Sequence, residues 1–363
     1  MSARRGLAVV GASLAAKPGN GGHAWTRISV VRGLERLGFD VVLVEQIAGA
    51  TESQHSYFER VCADFGITGL ILEEPAAVER FRDATVILNV GGNLGLEPVA
   101  AAGACKVYLD DDPGYTQLWH DQGLITERLA GHDFYFTYGA NVGHDGCPLP
   151  VDGIQWRATR PPVALEQWPV VGAPPLGFST VASWRGGYGR VANGPRLYGQ
   201  KAHEFRRFAS LPQLVDQTFE IALAIDQADS EDARLLSDHG WKLVDPATVA
   251  STPQSFRSYV QGSAAEFSVA QGIYVESCCG WFSDRTTRYL ASGRPAVVQD
   301  CGFTATLPTG EGLLAFSTLD EAAAAINAVA ADYATHARAA RAIAAEYFDS
   351  DKVLGRLLDE VGL

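Results

Sequence analysis

"LAVVGASLAAKPGNGGHAWTRISVVRGLERLGFDVVLVEQ", from Leu7 to Gln46, decides the fold. Its opening, Leu7 to Ser13, is a nearly continuous apolar run, the pattern of a parallel strand covered on both faces. A glycine-rich loop follows. The next segment sets Ile28, Val31, Leu34 and Leu37 on one helical face and stops at Gly38, a residue suited to closing a helix. "FDVVLVEQ" is a second apolar strand. Strand, loop, helix, strand is a βαβ unit, and a chain that opens on it builds a doubly wound parallel sheet.

The alternation continues through "TVILNVGG", "CKVYLDDD" and "HDFYFTYG", each a strand ending in polar or glycine residues. Between Pro148 and Pro175 the periodicity fades and prolines gather, which suits a crossing between domains. A second alternation starts at "FSTVASW" and runs through "FEIALAI", "WKLVDP" and "AEFSVAQG", with helical segments between them. The Ala-rich tail "TLDEAAAAINAVAADYATHARAARAIAAEYF" reads as helix throughout. The expected fold is α/β, with two Rossmann-like domains in tandem facing a cleft. Residues 1–160 form the first domain, 161–176 a linker, 177–342 the second domain, and 343–363 a closing helix. A length of 363 residues suits two cores of this kind.

Composition narrows the function. The net charge of −13 argues against a nucleic-acid or anionic-membrane partner, and no apolar run approaches the length of a membrane span. The six cysteines show no CxxC pair and no zinc spacing, so they read as free thiols in a reducing cytoplasm. Arg4, Arg5 and the apolar run after them imitate an export leader, but Lys17 and a glycine loop follow at once, as after a first strand. The expectation is a soluble cytoplasmic protein with no metal. Oligomeric state is not legible.

In facing Rossmann-like domains, ligands sit beyond the C-terminal ends of the strands. There "GNGGHAW" supplies Gly21 and Gly22, whose bare backbone allows close approach of a ligand, and His23, a candidate proton acceptor. A helix cap is the alternative use of that histidine. "LDDDPGY" brings Asp110, Asp111 and Asp112 to a strand end, where they can orient His23, bind sugar hydroxyls, hold a metal, or simply form a turn. Asp112 is the candidate catalytic acid of the three. His144 and Asp145 end the next strand.

The second domain offers "GWFSDRTTRYLASGRPAVVQD", from Gly280 to Asp300. Gly280, Trp281, Phe282, Ser283, Asp284, Arg285 and Thr286 lead into a helix start, where hydroxyls, backbone N–H groups and a guanidinium together can hold a diphosphate. Ser283 and Asp284 are equally ordinary helix caps. Arg185 and Lys201 would add positive charge if they are not surface residues, and Glu266 would accept hydrogen bonds from ribose or sugar hydroxyls. Trp25, Tyr115 and Trp119 suit a ring-containing acceptor or a packed core.

These residues resemble a GT-B-fold glycosyltransferase. The segment from Gly280 to Ile326 is similar to the glycosyl transferases group 1 class: "LASGRPAVVQD" looks like its helix–Gly–x–Pro–strand element and "GEGLLAF" like the strand after it. The resemblance implies a nucleoside-diphosphate sugar bound by the second domain and a small-molecule acceptor hydroxyl bound by the first. It also implies no metal requirement and a last helix that crosses back. Gly22-His23 matches the pair that carries the catalytic base in many relatives, and with His23 as base a single inverting displacement is the simplest mechanism. Where retaining members carry two glutamates, this chain has Gly280 and Arg288; Glu276 and Asp284 keep the separation but lie earlier. A nucleotide-sugar epimerase of similar architecture and a small-molecule binding protein are the alternatives.

Overall fold

The computed structural model describes residues 5–172 and 177–363, so the last four residues of the expected linker lie outside the described residues. The first sheet comprises β1 (Leu7–Gly11), β2 (Asp40–Gln46), β3 (Gly69–Leu72), β4 (Val86–Val90), β5 (Cys105–Asp110), β6 (Phe134–Thr137) and β7 (Trp156–Ala158). All its pairings are parallel, in the order β3-β2-β1-β4-β5-β6-β7.

In the second half come β8 (Gly177–Ser183), a small antiparallel hairpin of β9 (Val191–Asn193) and β10 (Arg196–Tyr198), then β11 (Thr218–Ala224), β12 (Trp241–Val244), β13 (Ala265–Ser268), β14 (Ala296–Gln299) and β15 (Leu313–Phe316). The second sheet is also parallel, ordered β12-β11-β8-β13-β14-β15. Each sheet therefore changes winding direction beside its first strand, between β1 and β4 and between β8 and β13. That reversal opens a crevice at the strand ends, and the two crevices face each other.

The apolar strands explain the layering. Ala8, Val9 and Val10 of β1 are fully buried, as a strand covered by helices on both faces must be. Ile28, Val31 and Leu34 of the helix Gly21–Arg36 pack on that sheet, as the periodicity requires. Sequence reading passed over the helix Glu52–Phe65, β3 and the β9–β10 hairpin. The Ala-rich tail is not one helix. Asp332 starts a new one by accepting from Thr335 N, and after a wide turn at Ala344–Phe348 the non-helical Asp349 bends the chain.

That bend sends the helix Ser350–Glu360 onto the helix Gly21–Arg36 of the first domain. The contact is close: a Cβ at Gly33 would stand 2.6 Å from Leu354, and Arg36 pairs with Asp351 at 2.8 Å. All six cysteines are free. Among the described residues no helix is long and apolar enough to cross a membrane, and no group of three His, Cys, Asp or Glu side chains could hold a metal.

Candidate functional site

The loop after β1 is shaped by an acid at the end of β2. The buried Glu45 carboxylate accepts from the amides of Leu14, Ala15 and Ala16 at 2.6, 2.5 and 2.8 Å. Burial raises its pKa and these three donors oppose the shift. The loop so fixed presents Lys17 to the cleft. Asn20 then caps the helix by accepting from His23 N at 3.0 Å.

His23 stands one residue into that first turn after Gly22. Its Nε2 lies 2.7 Å from the Ser13 carbonyl oxygen, which can only accept, so Nε2 carries the proton and Nδ1 keeps the lone pair. Burial, then the charges of Arg27 and Lys17, push the imidazole pKa well below its usual value, leaving the ring neutral.

The three aspartates after β5 divide their roles. Asp110 is fully buried and accepts from Thr116 at 2.6 Å, Gln117 at 2.9 Å and Thr137 at 2.7 Å, which makes it a structural anchor. Asp111 pairs with Arg27 at 3.2 Å. Asp112 accepts from two hydroxyls of the second domain, Tyr274 at 3.0 Å and Tyr188 at 3.2 Å. Burial, then the adjacent Asp111, push its pKa up to about 7. The ring of His23 is bonded to Ser13, where an aspartate of this cluster was a candidate to orient it.

The helix Asp284–Ala291 closes the other side. Asp284 Oδ2 accepts from Thr26 Oγ1 at 2.5 Å and from Arg288 Nη1 at 2.8 Å, and Arg288 Nη2 reaches Thr26 at 3.1 Å. Although burial opposes it, the Arg288 charge and these hydrogen bonds hold the Asp284 carboxyl below the usual range.

Three chambers share these walls. The largest, about 560 Å³, is lined by Lys17, His23, Ser183, Asp245, Arg285 and Arg288 among others. A middle chamber of about 160 Å³ is bounded by Lys17, His23, Arg27, Asp112, Trp281 and Asp284. The third, about 210 Å³, has Lys17, Arg27, Asp111, Asp112, Trp119 and Tyr188 on its walls. Lys17 borders all three and His23 the first two, so they are compartments of one interdomain cleft.

Several expected contacts are redirected. Gly21 donates to the Ala250 carbonyl at 2.8 Å, and its missing side chain makes room for the Thr252 backbone; Gly22, which does line the cleft, makes room for Phe256. Their bareness serves the domain interface first. Arg285 lines the large chamber, but its guanidinium is spent on Glu266 at 2.6 Å, the Val181 carbonyl at 2.9 Å and Ser268 at 2.6 Å. Glu266 is thereby taken up inside β13, with no exposure. Arg185 turns away to form a two-pronged pair with Asp229. Lys201 is buried beside Arg285 and Glu266, and burial, then Arg285, lower its pKa to about 7.

Gly280 holds a left-handed turn, φ +78°, against Asn141 of the first domain. Trp281 stacks on Tyr274 at 4.2 Å and borders the middle chamber. Phe282 packs on Phe348 in the core. Ser283 occupies the cap position without a side-chain capping bond, and the Thr286 hydroxyl is buried with no hydrogen-bond partner among the described residues. Trp25 is a core residue, donating to the Pro253 carbonyl at 2.7 Å. His144 borders a separate cavity. Sequence reading missed Lys17 as a site residue, and also Arg27, Arg288, Tyr188 and Tyr274. Only Lys17, in the first βα loop, carried a usable signal.

The fold has known counterparts. HepE from Anabaena in complex with UDP-glucose superposes with a TM-score of 0.62 at 13% identity, covering 98% of this chain and 99% of that one. The chain has the GT-B fold. Sucrose-phosphate synthase from Thermosynechococcus elongatus matches with a TM-score of 0.57 at 11% identity, over 99% of each chain. A UDP-N-acetylglucosamine 2-epimerase-like structure from Listeria monocytogenes matches with a TM-score of 0.51 at 12% identity, covering 99% and 96%. No protein-family model matches the chain and no curated protein matches it. In this GT-B chain the three chambers occupy the cleft between the two sheets.

Proposed function

We propose that this protein is a glycosyltransferase that moves a sugar from a nucleoside-diphosphate sugar to a hydroxyl of a small-molecule acceptor, without a metal. The observation that carries this is the chambered cleft. A compartment bordered by Lys17, Arg285 and Arg288 joins, past His23, a compartment bordered by Asp111 and Asp112. The first suits a diphosphate; the second suits a polyhydroxylated acceptor. The UDP-glucose held by HepE supports the donor class.

In the proposed reaction the acceptor oxygen bonds to the anomeric carbon as the bond from that carbon to the diphosphate oxygen breaks. The acceptor proton goes to Asp112. Burial, then the charges of Arg27 and Lys17, disfavour a charged imidazole at His23, whereas Asp112 exchanges its proton near neutral pH. His23, neutral and at the junction, holds the transferred sugar. Charge developing on the departing diphosphate is met by Lys17, Arg288 and the N–H groups opening the helix Asp284–Ala291. Closure of the cleft excludes water and limits hydrolysis.

An epimerase has no use for an acceptor compartment, which favours transfer over that alternative. The test is thermal shift with UDP, TDP, GDP and ADP, followed by assay of nucleoside diphosphate release from the matching sugar nucleotide. At least one diphosphate should raise the melting temperature, and Asp112→Asn should keep that shift while losing release. No shift with any of the four ends the reading. Isomerised sugar nucleotide without release supports the epimerase.

A further inference from the structure

A cavity of about 320 Å³ lies outside the cleft and shares none of its lining residues. It forms where β6, the segment after β7, the second domain and the crossing helix Ser350–Glu360 meet. One side is apolar, with Phe136, Val353 and Leu357. The other carries Arg160 and Arg356.

Arg160 is held in place but not neutralised. Its Nη2 donates to the Thr306 carbonyl at 3.1 Å, and its guanidinium lies 5.2 Å over the Tyr347 ring. Arg356, exposed on the crossing helix, makes no hydrogen bond or ion pair among the described residues. Two nearby acids are occupied elsewhere. Glu360, the one carboxylate on the wall, lies 3.9 Å from Arg157, which also bonds its carbonyl at 2.7 Å. Glu346 accepts from Lys352 at 2.6 Å.

Burial, then the facing Arg356, lower the pKa of Arg160, as like charges sharing a partly dry site must. The arrangement costs electrostatic energy that a bound anion would recover.

We propose that this cavity binds a small organic anion, a phosphate monoester or a carboxylate on an apolar body, between Arg160 and Arg356. Planar guanidinium forks suit both head groups, and Phe136, Val353 and Leu357 would cover the body. Because its walls come from both domains, an occupant would fasten them together outside the cleft.

Phenyl phosphate and benzoate are the probes, titrated calorimetrically into the whole chain. The wild type should bind at least one of them at millimolar concentration. Arg356→Gln and Arg160→Gln should each weaken that binding about tenfold or more. Arg356 makes no hydrogen bond or ion pair among the described residues, and its removal relieves the repulsion with Arg160, so its variant should melt no lower than the wild type. A preference for phenyl phosphate identifies a phosphate ester, and a preference for benzoate a carboxylate. Absence of binding by both probes, or an affinity that Arg356→Gln leaves unchanged, overturns the proposal, the second result placing the anion elsewhere.

Discussion

Thr26 of the first domain donates a 2.5 Å hydrogen bond to Asp284 of the second, and Arg288, fully buried, bonds to both. This three-residue latch ties the two Rossmann-like domains together at the wall of the cleft. Asp284→Asn would leave the Arg288 charge buried without its counter-ion. The Asp284 side chain is 35% exposed, so solvent screening trims the usual penalty for a broken buried pair to about 2 kcal/mol. Because the folded-state pKa of Asp284 is depressed, its stabilisation is present above the ordinary aspartate range near pH 4 and is lost as the pH falls below it. Urea melts of both proteins should therefore show a gap at pH 7 that narrows on acidification.

Asp112 carries the opposite sign. Its raised folded pKa means that ionising it costs more in the folded chain, so its contribution to stability declines as the pH rises from about 4 through about 7. Asp112→Asn should thus melt higher than the wild type at pH 8 and level with it at pH 4. The rate of the proposed sugar transfer should rise with pH through about 7 in the wild type. In the variant it should be flat and lower by about 10²–10⁴-fold. Tyr274→Phe, which removes a donor that favours the charged form, should move the rising limb to higher pH.

Gly21 tests the interface. A Cβ there would fall 2.0 Å from the Thr252 carbonyl oxygen, which is backbone and cannot step aside, whereas one at Gly22 would meet the Phe256 ring at 2.9 Å. Gly21→Ala should cost about 1–3 kcal/mol, the range for overpacking, and enlarge the radius of gyration by small-angle scattering as the domains part. Gly22→Ala should do less on both counts.

Arg285 and Glu266 form a buried pair at 2.6 Å, with side chains 13% and 0% exposed. Arg285→Ala should destabilise the second domain by about 3–5 kcal/mol, because it strands the Glu266 carboxylate. Replacing both, as Arg285→Met with Glu266→Leu, should return most of that loss in urea denaturation. A double variant no more stable than the single one would mean that the arginine stabilises through its Val181 and Ser268 bonds instead.

The architecture was legible because it depends on short-range patterning. The apolar run Leu7–Ser13 and the spacing of Ile28, Val31 and Leu34 report how each element presents its faces, which the backbone geometry of strand and helix dictates locally. The same logic located the helix start at Asp284 and set the aspartates at a strand end, although the strand stops at Asp110, two residues before the expected Asp112. Where it failed, the pattern was local but the event was not. The Ala-rich tail reads as one helix, yet Asp332 restarts it and the non-helical Asp349 redirects the chain at its end, because the last helix must reach the first domain.

Residue order alone therefore settled the strand–helix alternation, the two sheets and the loops that meet at the cleft, since these follow from periodicities a few residues long. The partners of each polar group were decided only in three dimensions. Arg285 joins β8 to β13, Arg185 turns to Asp229, Tyr188 and Tyr274 reach Asp112, and Arg288 meets Thr26, 262 residues away in the chain. Hydrogen bonds act over about 3 Å. Which acceptor a guanidinium finds at that range depends on the packing of both domains, and no local pattern encodes it.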